Sequence, residues 1–331
     1  MTDVAATPIL EVIDLTVSVR IPGGRRAIVV DNVSFSIGAG GTLGLVGESG
    51  SGKTMTSLAI MGLLPPAAQV EAGRILLCGE NLLTKSSRDL QRIRGKRIAM
   101  VLQDPMTALD PSFTIRSQLS EPLHQHRHLD GRQLDSALVT ALEQVHLSGA
   151  KERLRQYPHQ LSGGMRQRVT SAIALAGQPE LLIADEPTTA LDSTTQARYL
   201  LLLRELQTAT GFALLLVAHD LMVVRHVCER VLVMYSSRVV EDGQVAQVFS
   251  RPQHPYTRAL LDAIPTIGDT VSLRSIEGQA PDIGDNLIGC RFAPRCPYAR
   301  DACRTEEPDL TGRGSGHLAR CWGTEPEGWI T

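Results

Sequence analysis

Four short stretches of this 331-residue chain carry residue types that chemistry could use. Gly47-Glu48-Ser49-Gly50-Ser51-Gly52-Lys53-Thr54 has the glycine, four residues, Gly-Lys-Ser/Thr spacing of a phosphate-binding loop. Glycines let the backbone wrap a polyphosphate and aim successive N–H groups inward, and the following helix N-terminus adds partial positive charge. Lys53 would then reach the outer phosphates and Thr54 would place its hydroxyl on Mg²⁺. Asp185-Glu186 closes the apolar run Leu181-Leu182-Ile183-Ala184, so the two carboxylates emerge at the carboxyl edge of a buried strand. There Asp185 can hold Mg²⁺ through water, and Glu186 can act as general base on an attacking water. Gln103, after Ile98–Leu102, can reach Mg²⁺ or that water. His219, after Phe212–Ala218, can contact the γ-phosphate and orient Glu186.

These residues need strands and helices to hold them. Thr42–Val46 reads as a strand before the phosphate loop, and Met55–Met61 as a helix after it. Residues 9–46 read as strands broken by the Pro22-Gly23-Gly24 turn, and Gly73–Gly79 as a strand closing a small antiparallel layer. From about 112 to 160 the text turns polar and helical, with Leu138, Ala141, Leu142, Val145 and Leu147 near helical spacing. His124, His126 and His128 alternate around that helix, which favours a solvated surface over a metal site. Asp192 to about Thr210 reads as a helix stopped by Gly211. Strand and helix alternate, so the expected fold is an α/β phosphate-loop core with a mainly parallel sheet, a helical insertion and a small cysteine-containing C-terminal part.

Composition excludes several classes. Net charge is −2, so no basic field favours nucleic acid. Of 33 basic residues only Lys53, Lys85, Lys96 and Lys151 are lysines, so the one in the phosphate loop is a deliberate point charge. No apolar run approaches the roughly 18 residues that cross a bilayer, and no basic, apolar leader opens the chain. The expectation is a cytosolic chain that needs another subunit to supply any membrane.

A fifth stretch narrows the function. Leu161-Ser162-Gly163-Gly164-Met165-Arg166-Gln167-Arg168 places a hydroxyl and two glycine amides at a helix start, a second anion cradle that cannot serve its own chain's phosphate loop. With the motifs above it resembles the nucleotide-binding subunit of an ATP-binding-cassette (ABC) transporter, its LSGGQ-type signature carrying Met at the fifth position. The resemblance covers about residues 9–250, with a helical subdomain inserted at about 110–170. It implies ATP and Mg²⁺, with Thr54 and Gln103 on the metal. It also implies a head-to-tail dimer with a second cassette, a related chain or an identical copy. Leu161, Ser162, Gly163, Gly164, Met165 and Gln167 of one subunit would then act on the other's ATP, and Asp192 in Ala190-Leu191-Asp192 would link the sites. Two transmembrane permease subunits and, indirectly, an extracytoplasmic substrate-binding protein complete such a system. The location implied is the cytoplasmic face of the cell inner membrane, peripherally. One departure stands out: no aromatic residue precedes Phe35, so adenine would rest on Ile28, Arg25 or Arg26. A soluble cassette ATPase acting on nucleic acid or ribosomes would need a second cassette, a coiled-coil insertion or a basic face, and none is visible.

Residues 251–331 resemble the C-terminal extension of oligopeptide and dipeptide importers, through His254-Pro255-Tyr256-Thr257-Arg258 and Cys290-Arg291-Phe292-Ala293-Pro294-Arg295-Cys296-Pro297-Tyr298. That implies peptide cargo, with nickel, glutathione or another small solute as alternatives. Cys290, Cys296, Cys303 and Cys321 are separated by five, six and seventeen residues. Zinc sites favour tight Cys-x₂₋₄-Cys pairs, and none is present. Four loosely spaced thiolates suit a [4Fe–4S] cluster better. Zinc, or cysteines holding nothing, remain the alternatives, with His317 as a reserve ligand. Cys78 and Cys228, alone in apolar text, read as packed thiols.

Overall fold

The structure, a computed structural model, describes residues 7–264, 276–285, 287–312 and 316–324. It divides into two compact units, each drawn from several stretches of chain.

The first unit takes residues up to 11, 36–42 and 75–217. Its strands Ile98–Val101, Leu181–Asp185 and Ala213–Ala218 pair in parallel, with Ile98 opposite Leu181 and Leu181 opposite Ala213. All three are almost wholly apolar and buried, as the runs without alternation predicted. Parallel neighbours need long crossovers, and helices supply them. Ile115–Arg127, Gly131–Gln144 and Ala150–Arg153 form the expected helical stretch. Leu119, Leu123, Leu138 and Leu142 turn inward from it, while His124 is exposed and faces Asp130 at 2.9 Å. Gly163–Leu175 and Ser193–Thr210 follow, started by the Ser162 and Asp192 side chains as N-caps.

The second unit takes residues 12–35, 43–74 and 218–331. Leu10–Arg20 and Arg26–Ile37 flank the Pro22-Gly23-Gly24 turn as one long strand each. Thr42–Val46 pairs in parallel with Arg230–Tyr235, which turns back through Ser236-Ser237 into antiparallel Arg238–Gln244. Both turn residues have positive φ, 43° and 74°, the backbone a tight hairpin of this hand needs. The C-terminal residues do not stand apart from this sheet. Leu318–Ala319 pairs with Arg238–Gln244, and Thr311–Gly312 pairs with Leu318–Ala319. Buried Glu241 fastens the join: its carboxylate accepts from the Gln253 and His254 amides at 2.8 and 2.9 Å, and lies 2.7 Å from His317 Nε2.

The chain holds only five Tyr, five Phe and two Trp. Three of these gather here: Tyr235 and Tyr256 at 4.7 Å, Tyr235 and Phe292 edge-to-face at 5.2 Å, Tyr256 and Phe292 at 5.5 Å. Each such pair adds about 1 kcal/mol beyond the area it buries. The extension is thereby anchored by ring packing in place of a large core of its own.

Candidate nucleotide site and its C-terminal support

The phosphate loop runs from the end of Thr42–Val46 into helix Lys53–Met61. Gly52 at the junction has φ +100°, and a Cβ there would lie 2.3 Å from the Val29 carbonyl oxygen, so only glycine fits. Lys53 is buried and its Nζ donates to the carbonyls of Gly47 at 2.7 Å and Glu48 at 3.0 Å. Ser51 Oγ is buried without a partner among the described residues, and Thr54 is exposed at the first turn of the helix. A phosphate would give the buried Ser51 hydroxyl a hydrogen-bond partner. Ser49 and Gly50 form the exposed tip.

Glu48, expected among the nucleotide contacts, is held by the extension. Its N–H donates to Tyr256 Oη at 2.9 Å, and its carboxylate accepts from Arg295 Nη1 at 2.9 and 3.2 Å. Both polar groups are spent on the extension, so Glu48 shapes the loop.

In the other unit, Asp185 ends its strand 4% exposed. Glu186 takes a left-handed backbone, φ +44°, and its N–H donates to the Val217 carbonyl at 2.9 Å. A non-glycine residue held this way stores roughly 1 kcal/mol or more of strain, a common mark of a working position. Glu186 Oε2 accepts from Gln103 Nε2 at 3.0 Å and Thr189 Oγ1 at 3.2 Å. Gln103, weak as a sequence signal, thus meets Glu186 from 83 positions away. Thr189 was not foreseen. Two donors on one carboxylate oxygen fix its direction. His219 is exposed directly after Ala213–Ala218.

The signature begins helix Gly163–Leu175, with Ser162 Oγ accepting from the Met165 amide at 3.3 Å. Ser162 and Gly163 are exposed, and Gly164 and Met165 half-buried. A Cβ at Gly164 would lie 2.6 Å from Thr195 Cγ2, so this glycine lets the Asp192-capped helix press close. Two expected members do not belong to the exposed cradle. Leu161 is 3% exposed and Gln167 fully buried, so both brace the turn from behind and cannot reach a ligand outside it.

Cys290, Cys296, Cys303 and Cys321 line one small cavity of about 10 Å³, closed by His254, Phe292 and Trp322. The Cys290 amide donates to the Cys303 carbonyl at 2.8 Å, which ties the first and third members of the set. Burial pushes the Cys290 thiol up to about 12 and Cys296 to about 11, and pushes His254 down to about 4. All six cysteines are free thiols. Among the described residues no three His, Cys, Asp or Glu side chains group tightly enough for a single metal ion. His317, the reserve ligand, does not line the cavity. It is held by Glu241, with Gln253 at 3.5 Å.

Known proteins match this arrangement in two blocks. Residues 30–189 match the ABC transporter family, and residues 240–303 the oligopeptide/dipeptide transporter C-terminal region. An oligopeptide transport ATP-binding protein of Bacillus subtilis is 46% identical over 301 residues, 90% of this chain and 92% of its own. The chain belongs to the ABC transporter ATP-binding proteins. A dipeptide transport ATP-binding protein of the same bacterium is 44% identical over 95% of this chain and 94% of its own. Among solved structures, a dimeric ATP-binding cassette in a post-hydrolysis state with ADP and phosphate superposes with TM-score 0.64 and 27% identity. It covers 71% of this chain and 98% of that one. The α/β phosphate-loop fold of the cassette and its ATPase class follow. Among the described residues no helix is long and apolar enough to cross a membrane.

Proposed function

We propose that this cassette hydrolyses ATP to drive import of peptides, from a peripheral position on the cytoplasmic face of the cell membrane. The catalytic part rests on one observation: Gln103 and Thr189 orient the Glu186 carboxylate at the end of a buried strand. The cargo class rests on the match of residues 240–303 and on relatives named for oligopeptide and dipeptide transport.

The reaction divides among the residues as follows. The loop Gly47–Thr54 binds the phosphates and Lys53 draws charge from the outer ones; Thr54, Gln103 and Asp185 would hold Mg²⁺, which would supply positive charge beside the phosphates. Glu186 takes the proton of the attacking water, and His219 steadies the γ-phosphate side. Ser162, Gly163 and Gly164 offer their helix-start amides to the ATP of a second, related cassette, and Asp192 links the two sites. Closure of the pair would move two permease subunits, with the cargo chosen by them and a separate binding protein. The 9–250 cassette, its 110–170 helical part and the 251–331 extension are the units of that reading. For the base, Ile28 is the candidate seat. It is 41% exposed, and its carbonyl accepts from Ser237 Oγ at 3.3 Å while the Ser237 N–H donates to Ser51 in the loop. Arg26 is committed to Ser18 and Glu71.

For the four cysteines the reading is a [4Fe–4S] group in preference to zinc, supported by their lining one apolar cavity and by the lack of a tight Cys-x₂₋₄-Cys pair. Such a group would supply a cross-link of four distant chain positions and a redox-active centre. Anaerobic purification should yield roughly four irons per chain and a broad visible absorption. One zinc per chain, or no metal, would remove the cluster.

The ATPase reading is tested by Glu186→Gln in the purified protein. ATP affinity should hold while turnover falls at least about a hundredfold. Near-normal turnover would remove Glu186 as the base. Peptide uptake by cells carrying only that variant should fail in parallel.

A further inference from the structure

The phosphate loop is held from the extension, at two points. Arg295 reaches the Glu48 carboxylate at 2.9 and 3.2 Å, with Tyr235 Oη at 3.3 Å and its guanidinium 5.8 Å from the Tyr235 ring. The Arg295 side chain is 6% exposed and Glu48 30%, so the pair is largely withdrawn from water. Fully buried Tyr256 accepts the Glu48 N–H. At the second point, Arg291 donates to the Ser236 carbonyl at 2.5 Å and pairs with Asp31, and the neighbouring Ser237 N–H donates to Ser51 of the loop. Arg291 follows Cys290, Arg295 precedes Cys296, and Phe292 between them packs on Tyr235 and Tyr256. One seven-residue stretch therefore carries two of the four pocket cysteines and both grips on the loop.

We propose that Arg295 and Tyr256 are positioning residues for ATP, setting Glu48 and with it the phosphate loop, so that the four-cysteine pocket and the nucleotide site are energetically coupled. Glu48 is the link because its carbonyl, beside that of Gly47, also accepts from Lys53 Nζ. A shift of Glu48 moves the acceptors that place the charge meant for the outer phosphates. A largely desolvated Arg–carboxylate pair holds this geometry firmly, since removing either partner leaves the other charge poorly solvated. Coupling of this kind is reciprocal: if the pocket alters ATP affinity, ATP alters the pocket by the same factor. A contact that merely glued the extension down would lack that second effect.

The inference rests on the ATP-site reading above, and full-length protein tests both. Arg295→Met should raise the Kd and KM for MgATP about fivefold or more, with kcat within about twofold. Arg295→Lys should recover part of the loss, and Glu48→Gln combined with Arg295→Met should be no worse than either alone. In the wild-type protein MgATP should slow alkylation of Cys290 and Cys296, followed peptide by peptide in mass spectrometry. That protection should disappear in Arg295→Met. Should Arg295→Met fail to fold, the wild-type protection experiment decides. Unchanged MgATP affinity in a folded Arg295→Met, or wild-type alkylation indifferent to MgATP, overturns the coupling. Failure of the wild-type protein to bind MgATP at all would overturn the ATP-site reading.

Discussion

The chain holds two anion cradles of similar plan, and they are supported very differently. Each is a glycine-bearing turn at a helix start, Gly47–Gly52 before Lys53–Met61 and Ser162–Gly164 at the head of Gly163–Leu175. Behind Gly52 of the phosphate loop lies backbone, a strand carbonyl, and at Glu48 the extension adds the side chains of Tyr256 and Arg295. Behind the signature lies a side-chain methyl, that of Thr195, and the turn keeps its own hydroxyl cap. A backbone neighbour cannot rotate away, whereas a threonine can. The first cradle is therefore rigid and built to hold a ligand. The second is exposed at Ser162 and Gly163 and rests on a side chain that can move.

The contrast predicts unequal responses to the same small change. Gly52→Ala combines a positive φ with a backbone clash, and should weaken MgATP binding at least about a hundredfold, about 2.7 kcal/mol. Retention of near-normal affinity by calorimetry would show that the first cradle is softer than its packing suggests. Gly164→Ala should leave MgATP affinity intact but lower turnover about tenfold. Thr195→Ser, which deletes the clashing methyl, should restore much of that turnover in the double variant. If the second substitution brings no rescue, Thr195 is not what the glycine accommodates.

The smallest effect concerns the helix that braces the signature. Asp192 caps it by accepting from the Thr195 amide at 3.0 Å, and the Thr195 side chain and amide hold its carboxyl below the usual value of 3.8. A carboxyl lowered on folding stabilises above its unfolded pKa, and that contribution is lost as pH falls through the folded value. Melting followed below about pH 4 should therefore be slightly less pH-dependent in Asp192→Asn, which keeps a capping oxygen without the charge. An identical pH profile would assign the cap no electrostatic share.

Much of this was written in spacing. The phosphate loop, Asp185-Glu186 and the signature are local motifs, because each must bend a few consecutive residues around one anion or end one strand. Local demands of that kind leave local residue patterns, and the buried parallel strands left equally plain apolar runs. Gln103 was nearly silent, since its meaning lies in meeting Glu186 across 83 positions. Glu48, Leu161 and Gln167 fell inside motifs, yet Glu48 is bonded to Tyr256 and Arg295 and the other two are buried, which only the folded chain could say.

By itself, then, the sequence determined a cassette ATPase with a parallel core and a cysteine-bearing extension, because glycine spacing, apolar runs and cysteine placement express local chemistry directly. Tertiary structure alone decided what the extension touches. Arg295 and Glu48 lie 247 positions apart, and Tyr256 and Glu48 lie 208. Nothing in the spacing of an arginine or a tyrosine reveals a partner that distant. Only the folding of the extension onto the strand Arg230–Tyr235 and its hairpin brings those side chains to the phosphate loop.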